Sequence, residues 1–220
     1  MKKIAVVYTS MGGLVASLKK TLVDVTGFRI ISIADDSLIQ DVIEAGHITD
    51  SVRSRMAHYY EAAADSGADL VISACSSVGD LAEEAAKTLC VPLLRIDHAM
   101  ICKAVATGSR IGVLASLGTT MDPTIRYVRQ LAAEAGKAVT VVGLVADGAY
   151  EANNNGHPEL HDALLEKAAC KLAANVDVVV LAQGSMARME QQLQELTGIP
   201  VYSSPQLCAE EAKKILEAQK

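Results

Sequence analysis

The sequence predicts an α/β fold made of two similar halves, each with a mainly parallel sheet between two layers of helices. Short β-branched runs alternate with amphipathic stretches along the chain, a pattern typical of βαβ units. The apolar residues are mostly Ala, Val, Leu and Ile, with no Trp and one Phe in 220 residues. That composition suits strands covered by helices on both faces. In addition, the two halves of the sequence repeat each other.

The apolar runs indicate eight strands with helices between them. Strands are expected near 3–8, 28–33, 69–74, 91–95, 110–115, 139–145, 176–182 and 199–202. Helices are expected near 12–24, 50–65, 79–89, 97–106, 121–135, 158–174, 186–197 and 205–219, with a shorter one over 36–46. The polar NNNG patch at 153–156 predicts a surface turn before a helix that begins at Pro158.

The repeat relates ADLVISACSSVGDLAEEAAKTLCVPLL (68–94) to VDVVVLAQGSMARMEQQLQELTGIPVY (176–202). The aspartates that precede the two apolar runs, Asp69 and Asp177, are separated by 177 − 69 = 108 positions. A repeat of this length is too long for a solenoid module and predicts two α/β halves that face each other across a cleft.

The repeat also sets the expected domain boundaries. The first half is expected to contain residues 1–96 and 205–220, and the second half residues 97–204. At the same offset, Cys75 of SACSSVG has Gln183 of LAQGSMA as its counterpart. The two halves therefore differ at the position where the first carries a thiol.

Composition excludes several classes of function. A formal net charge of −6 argues against a nucleic-acid or anionic-membrane partner. The apolar run after MKK is too short for a signal peptide, and no stretch reaches the length of a membrane span. The five cysteines are an odd number without CxxC spacing, which indicates neither a disulfide framework nor a zinc site. A reducing cytoplasm is the expected location.

Cys75 is the strongest candidate for chemistry. It follows a predicted strand and precedes a predicted helix, so backbone amides at the helix start are expected to lower the pKa of its thiol. Ser76 and Ser77 are possible hydrogen-bond donors to the thiolate or to a bound carboxylate. The alternative is a buried core thiol without chemistry. The other four cysteines are expected in the core: Cys90, Cys102, Cys170 and Cys208.

Two histidine contexts carry weaker signals. Asp97 fits a helix N-cap, with His98 incidental beside it. Alternatively, both line the crevice where α/β sheets bind ligands, and His98 is then the best available proton donor if Gln183 is not one. His157 and His161 are spaced i, i+4, but HPELH is not a metalloprotease motif and is expected at an exposed helix start.

The two cysteine-position motifs, together with ASLGTT (115–120), resemble the cofactor-independent aspartate/glutamate racemase superfamily. That superfamily includes hydantoin and allantoin racemases, maleate isomerase and arylmalonate decarboxylase. The resemblance covers essentially the whole chain and implies an Asp/Glu racemase-like fold, a homodimer, no cofactor and no metal. It implies a small carboxylate substrate held between two opposed cysteines. The further residues that it implies in substrate binding are Thr9, Ser10, Ser76, Ser77, Ser116, Thr119, Thr120, Gly184 and Ser185.

Gln183 departs from this pattern, because the hydantoin-type racemases carry a cysteine there. The sequence therefore predicts an atypical one-cysteine member: a racemase-like isomerase that uses Cys75 at a carbon next to a carboxylate or carbonyl of an amino acid, hydantoin or dicarboxylate. A one-cysteine decarboxylase or lyase, and a carboxylate-binding protein without catalysis, are the alternatives. A flavodoxin-like or receiver domain fits less well, because such domains lack the half-chain repeat.

Overall fold

A computed structural model describes residues 1–219 of the chain. These residues form two compact units, one of residues 1–98 continued from Pro205 onward, and one of residues 99–204. Each unit contains one four-stranded sheet in which all strand pairs are parallel. The predicted α/β fold with parallel sheets is confirmed.

The element order alternates strands and helices along the chain. The strands are β1 (Lys3–Tyr8), β2 (Arg29–Ala34), β3 (Leu70–Ser73), β4 (Leu93–Arg95), β5 (Arg110–Ala115), β6 (Thr140–Val145), β7 (Val178–Leu181) and β8 (Val201–Tyr202). The helices are α1 (Leu14–Thr26), α2 (Ser37–Ala45), α3 (Asp50–Asp65), α4 (Gly79–Ala85), α5 (His98–Thr107), α6 (Met121–Glu134), α7 (Ala149–Asn154), α8 (Pro158–Ala173), α9 (Glu190–Thr197) and α10 (Ser204–Ala218). No helix in residues 1–219 combines the length and the apolar character that a membrane span requires.

The first sheet has the strand order β2-β1-β3-β4 and is covered by helices on both faces. Successive side chains of a strand point to opposite faces. In β1, Ile4 and Val6 pack with α1 and α10, whereas Ala5 and Val7 pack with α2, α3 and α4. All four side chains are fully buried. Two-sided burial explains why β1 is a continuous apolar run rather than an alternating one.

The second sheet has the equivalent order β6-β5-β7-β8. On one face, Leu114 and Leu181 pack with residues of α7, α8 and α9. On α6, Met121 and Ile125 lie so close to Gly143 of β6 that a Cβ at that position would overlap them. Both halves of the repeat therefore fold into the same strand order.

The aspartates that revealed the repeat have the same role in both units. The backbone N–H of Lys3, at the start of β1, donates to Asp69 Oδ2 at 2.8 Å, and that of Arg110, at the start of β5, donates to Asp177 Oδ2 at 2.8 Å. The Lys3 amide is the main cause of a lowered pKa at Asp69. Hydrogen bonds from the side chain and amide of Arg110 lower the pKa of Asp177 to about 2. Each carboxylate fixes the register at the start of its sheet.

The connections differ from the sequence prediction in two respects. The expected turn at 153–156 is wrong in its first half, because Asn153 and Asn154 end helix α7 and only Asn155 and Gly156 turn the chain. Gly156 has φ +78°, a conformation that suits glycine. Short 3₁₀ helices also occupy 76–78, 118–120 and 184–189, each directly after the loop that leaves a strand.

The cysteines outside the candidate site correct a second expectation. Cys208 is fully buried in the core of the first unit, but Cys90, Cys102 and Cys170 are exposed. Their Ala- and Leu-rich neighbourhood suggested burial, yet Cys102 and Cys170 lie on outward positions of α5 and α8 and Cys90 lies in a loop. Local composition does not report which face of a helix a residue occupies.

Cys208→Ala is expected to lower the free energy of unfolding by about 1 kcal/mol, because it removes a buried sulfur and leaves a small cavity. Cys170→Ala, on an exposed face, is the matched control and should change stability by less than about 0.5 kcal/mol. Urea unfolding followed by circular dichroism measures both. Equal losses in the two variants would contradict the packing described for Cys208.

Candidate functional site

Cys75 lies where the chain leaves β3 and turns into the 3₁₀ helix 76–78. The parallel register of β1 and β3 continues one residue beyond the strand, since Ala74 N–H donates to Val7 O at 2.9 Å. Cys75 has extended backbone angles, φ −141° and ψ 115°, which direct the chain out of the sheet. The loops after β1 and β3 therefore leave the same edge side by side, which brings Thr9 to Cys75.

Four donors surround the Cys75 sulfur. The hydroxyls of Thr9 and Ser77 and the backbone N–H groups of Ser77 and Val78 donate hydrogen bonds to Sγ. Thr9 and Ser77 are buried, at 3% and 2% exposure, whereas Cys75 itself is partly exposed. Buried donors of this kind stabilise negative charge on sulfur more than donors in contact with water.

Burial nevertheless raises the pKa of the Cys75 thiol above its ordinary value, because its desolvation outweighs the hydrogen bonds from Thr9, Ser77 and Val78. The expectation of a lowered pKa is therefore wrong. The sequence placed the amides correctly but gave no measure of the apolar packing of Cys75 against the core between the sheet and α2, α3 and α4. The site holds Cys75 as a neutral thiol with donors already in place for a thiolate.

Gln183 occupies the equivalent position in the second unit, between β7 and the 3₁₀ helix 184–189. Its backbone angles, φ −118° and ψ 134°, are close to those of Cys75. Its Oε1 accepts from Ser116 N–H at 2.9 Å and from Ser116 Oγ at 3.3 Å. Its Nε2 donates to Thr120 Oγ1 at 2.5 Å and to Leu117 O at 3.3 Å. The amide therefore uses both its donors and its acceptor to fasten the 116–120 loop.

The two units thus share one arrangement with different chemistry. Thr9, the first residue after β1, contacts Cys75, and Ser116, the first residue after β5, contacts Gln183. A hydroxyl from the first loop meets the side chain at the start of the second loop in both units. In the first unit this side chain can ionise, and in the second it cannot.

The structure places the remaining predicted residues in these same loops. Ser76 is buried directly after Cys75, and Ser10 is partly exposed after Thr9. Thr119 and Gly184 are partly exposed in the loops that Gln183 joins, and Ser185 is exposed. Substrate contacts by these residues stay predictions.

Asp97 and His98 are engaged within the first unit. Both carboxylate oxygens of Asp97 accept from the Arg95 guanidinium, at 2.9 and 2.8 Å. His98 Nδ1 lies 2.7 Å from Oε1 of Glu211 on α10. A role of His98 as a proton donor to substrate stays a prediction.

The histidines of HPELH are not equivalent. His161 is buried at 3% exposure, which contradicts its expected exposed position, and its Nδ1 lies 2.8 Å from Asp162 Oδ1 and 3.2 Å from Arg188 Nη2. His157 is exposed beside Glu159. Among residues 1–219, no group of three or more His, Cys, Asp or Glu side chains is placed to hold a metal ion.

Sequence reasoning missed two buried groups near Cys75. The Tyr60 hydroxyl on α3 hydrogen-bonds the Ser73 hydroxyl at 2.8 Å, and Arg95 lies beneath the start of α4. A signal for Arg95 was present, because a charged residue lies within the otherwise apolar run VPLLRI. Such a residue in a strand of a two-sided sheet is rarely solvated, so it needs buried partners.

Cys75 should alkylate more slowly than the exposed cysteines at pH 7, because its raised pKa leaves a smaller thiolate fraction than the few per cent of an ordinary thiol. Its rate should continue to rise at pH values where that of an ordinary thiol has levelled off. Iodoacetamide labelling resolved by peptide mass spectrometry measures each site. Preferential labelling of Cys75 at pH 7 would contradict the burial effect.

Gln183→Leu should destabilise the protein by about 1–3 kcal/mol, because it removes the bonds to Ser116 and Thr120 and leaves buried polar groups unpaired. Gln130→Leu is the control, since Gln130 makes an exposed i, i+4 hydrogen bond with Glu134. Thermal unfolding compares the two variants. A Gln183 variant as stable as the Gln130 variant would show that the hydrogen bonds of Gln183 contribute nothing to stability.

Several proteins of known structure are similar to this chain in fold. The glutamate racemase isoform RacE1 from Bacillus anthracis has a TM-score of 0.77 at 16% identity, over 99% of this chain and 82% of that one. The allantoin racemase from Klebsiella pneumoniae has a TM-score of 0.73 at 14% identity, over 100% and 89%. An unliganded arylmalonate decarboxylase has a TM-score of 0.60 at 15% identity, over 97% and 92%. At these identities the likeness concerns the fold.

No curated protein matches the sequence. The Asp/Glu/Hydantoin racemase family model, in contrast, matches residues 14–212. That range includes β3, β7 and the loops that carry Cys75 and Gln183. The family suggested by the two repeated motifs is confirmed, and the chain belongs to the Asp/Glu/hydantoin racemase family.

Proposed function

We propose that this chain is a cofactor-independent enzyme of the racemase family in which Cys75 alone transfers a proton at a carbon next to the carboxylate or carbonyl of a small acid. The observation that carries the proposal is the contrast between Cys75 and Gln183. Cys75 is an ionisable group with four donors around its sulfur, whereas the Gln183 amide is engaged in the 116–120 loop.

The Cys75 thiol suits proton donation. A raised pKa keeps the proton on sulfur near neutral pH, and a carbanion beside a carboxylate is a far stronger base than a thiolate. When the thiol gives up its proton, the hydroxyl of Thr9 and the amides of Ser77 and Val78 stabilise the thiolate that remains. The thiolate recovers a proton from solvent, or takes one from the substrate carbon when the reaction runs in the other direction.

Two reactions of this kind conserve atoms and charge. In double-bond isomerisation, the Cys75 thiolate removes a proton from the carbon next to the carboxylate or carbonyl, the electron pair is delocalised, and the thiol returns the proton to a different carbon of the delocalised system. In decarboxylation, a carbon–carbon bond breaks, carbon dioxide leaves, and the Cys75 thiol protonates the same carbon. One of the structural neighbours is named an arylmalonate decarboxylase, which supports including malonate-type acids among the candidate substrates.

Gln183 sets the stereochemical expectation. Racemisation by two bases needs a second group that ionises near neutral pH on the opposite face of the carbon. An amide has no such pKa, and the carbonyl and NH₂ of Gln183 already bond Ser116, Leu117 and Thr120. We therefore assign Gln183 a structural role in place of the second cysteine, and expect proton exchange on one face.

The remaining assignments rest on the family. The substrate is a small carboxylate, such as an amino acid, a hydantoin or a dicarboxylate, contacted by hydroxyl and amide donors of the loops that hold Thr9, Ser10, Ser76 and Ser77. The protein acts as a homodimer in the cytoplasm without a cofactor. His98, whose Nδ1 lies 2.7 Å from Glu211 Oε1, is the candidate for a second acid.

Cys75→Ala should reduce turnover by more than about 100-fold, the usual contribution of a positioned proton donor or acceptor. The assay incubates amino acids, hydantoins, dicarboxylates and malonates with the protein in heavy water and follows deuterium at the carbon by NMR. Cys170→Ala is the control. A Cys75 variant with the parent rate on an accepted substrate would refute the proposal, and binding without exchange or product would support the non-catalytic alternative.

The stereochemical part is tested on both enantiomers of each accepted substrate. The parent protein should exchange the carbon-bound proton of one enantiomer with retention, or give a single enantiomer of a decarboxylated product. Equilibration of both enantiomers by the parent and by the His98→Ala variant would show that a second base exists and that the one-sided mechanism is wrong.

A further inference from the structure

Arg95 is a buried charge next to the candidate site. Its side chain is 4% exposed at the end of β4, and its guanidinium binds both oxygens of Asp97 at 2.9 and 2.8 Å. A second carboxylate, Glu83 of α4, accepts from Nη1. Asp97 is itself 1% exposed. A guanidinium out of water is tolerated only with such partners, and two of them fix its plane.

The face of this guanidinium lies against Gly79. A Cβ built on Gly79 would overlap Cζ and both terminal nitrogens of Arg95. Gly79 has φ −56° and ψ −35°, which every residue type adopts readily. Its lack of a side chain is therefore a requirement of space: the backbone at 79 can approach the guanidinium only as glycine.

Gly79 ends the segment that carries the Cys75 donors. Only residues 76–78 separate it from Cys75, and two of them, Ser77 and Val78, supply the backbone N–H groups on the sulfur. The 3₁₀ turn is closed by the hydrogen bond from Gly79 N–H to Ser76 O. Because this turn is short and closed, a displacement at Gly79 moves the amides relative to Sγ.

We propose that Arg95 is a positioning residue of the Cys75 site, whose guanidinium, fixed by Asp97 and Glu83, sets the position of the 76–79 turn through contact with Gly79. The inference rests on the proposed role of Cys75. Arg95 acts through the turn, without contact to the substrate. Tyr60 is near the same groups. Its hydroxyl hydrogen-bonds the Ser73 hydroxyl, and the charges of Cys75 and Arg95 both influence its pKa.

Two carboxylates and one phenol face this guanidinium. Arg95 faces Asp97 from its own connection and Glu83 from α4, and Tyr60 faces it from α3 as a neutral phenol whose pKa is raised by burial. The guanidinium is thus held by two carboxylates rather than offered to a ligand. That arrangement favours a structural role for Arg95 over direct binding of the substrate.

The test measures the rate of Cys75 alkylation by iodoacetamide against pH, resolved by peptide mass spectrometry, in the full-length protein. Gly79→Ala should move the profile to higher pH, with about a tenfold slower rate at pH 8, the effect of a shift of about one unit. Gly118→Ala is the control. Gly118 begins a 3₁₀ turn of the second unit, and a Cβ there meets nothing within 4 Å. Its Cys75 profile should equal that of the parent.

Arg95→Lys tests the other partner. Lysine keeps the positive charge near Asp97 but lacks the plane that lies on Gly79, so its profile should move in the same direction. Arg110→Lys, at an exposed arginine that also bonds an aspartate through two nitrogens, is its control. Circular dichroism and thermal unfolding of each variant separate a displaced turn from a lost fold.

The double variant Gly79→Ala/Arg95→Lys decides the steric contact. If Gly79→Ala folds poorly, folding should return in the Arg95→Lys background, where the flexible side chain can move aside. Failure of that rescue, or a folded Gly79→Ala protein with the parent profile, would overturn the inference. The alkylation rate of Cys75 is measured without substrate turnover. A failure of this inference can therefore be distinguished from a failure of the proposed function.

Discussion

The parallel register between the central strands of each unit is the constraint on which the site depends. β1 and β3 run side by side, and the bond from Ala74 N–H to Val7 O extends their pairing past the end of the strand. β5 and β7 repeat this with Ala182 N–H and Leu114 O. Because carboxyl ends of parallel strands lie at one edge, two loops must emerge together there. The contact of Thr9 with Cys75 and that of Ser116 with Gln183 follow from it.

The same frame serves two different purposes. In the first unit, four donors converge on a sulfur that packing keeps neutral, so the hydrogen bonds that would stabilise a thiolate are already in place. In the second unit, the equivalent side chain satisfies its own donors and acceptors and stiffens a loop. The glutamine amide and the cysteine thiol both hydrogen-bond backbone groups, but only the thiol can ionise.

Most of the fold could be predicted because it depends on patterns that the sequence carries directly. Two-sided burial makes continuous apolar runs, so all eight strands were recognised within two residues at each end. The short helix α7 was missed because Asn-rich segments usually turn, and its buried residues Ala149 and Ala152 are too few to give a clear period.

The candidate site was only partly predictable. Its residues were found through the repeat, but the direction of the Cys75 pKa depends on how many apolar atoms surround the sulfur, which is a tertiary property. Arg95 and Gly79 lie 16 residues apart in sequence and meet only after β4 has paired with β3. The exposed cysteines were misjudged for a similar reason, since composition alone does not tell which side of a helix faces the core.

The surface position of Cys90, Cys102 and Cys170 has a practical consequence for the biochemistry of this protein. In air, dioxygen can couple accessible thiols of separate molecules into covalent multimers, whereas the thiol of Cys208 is buried. Such species run as dimers on a non-reducing gel or a sizing column. Association of the native protein is therefore best judged in the presence of a reductant, where only the noncovalent contacts between subunits remain.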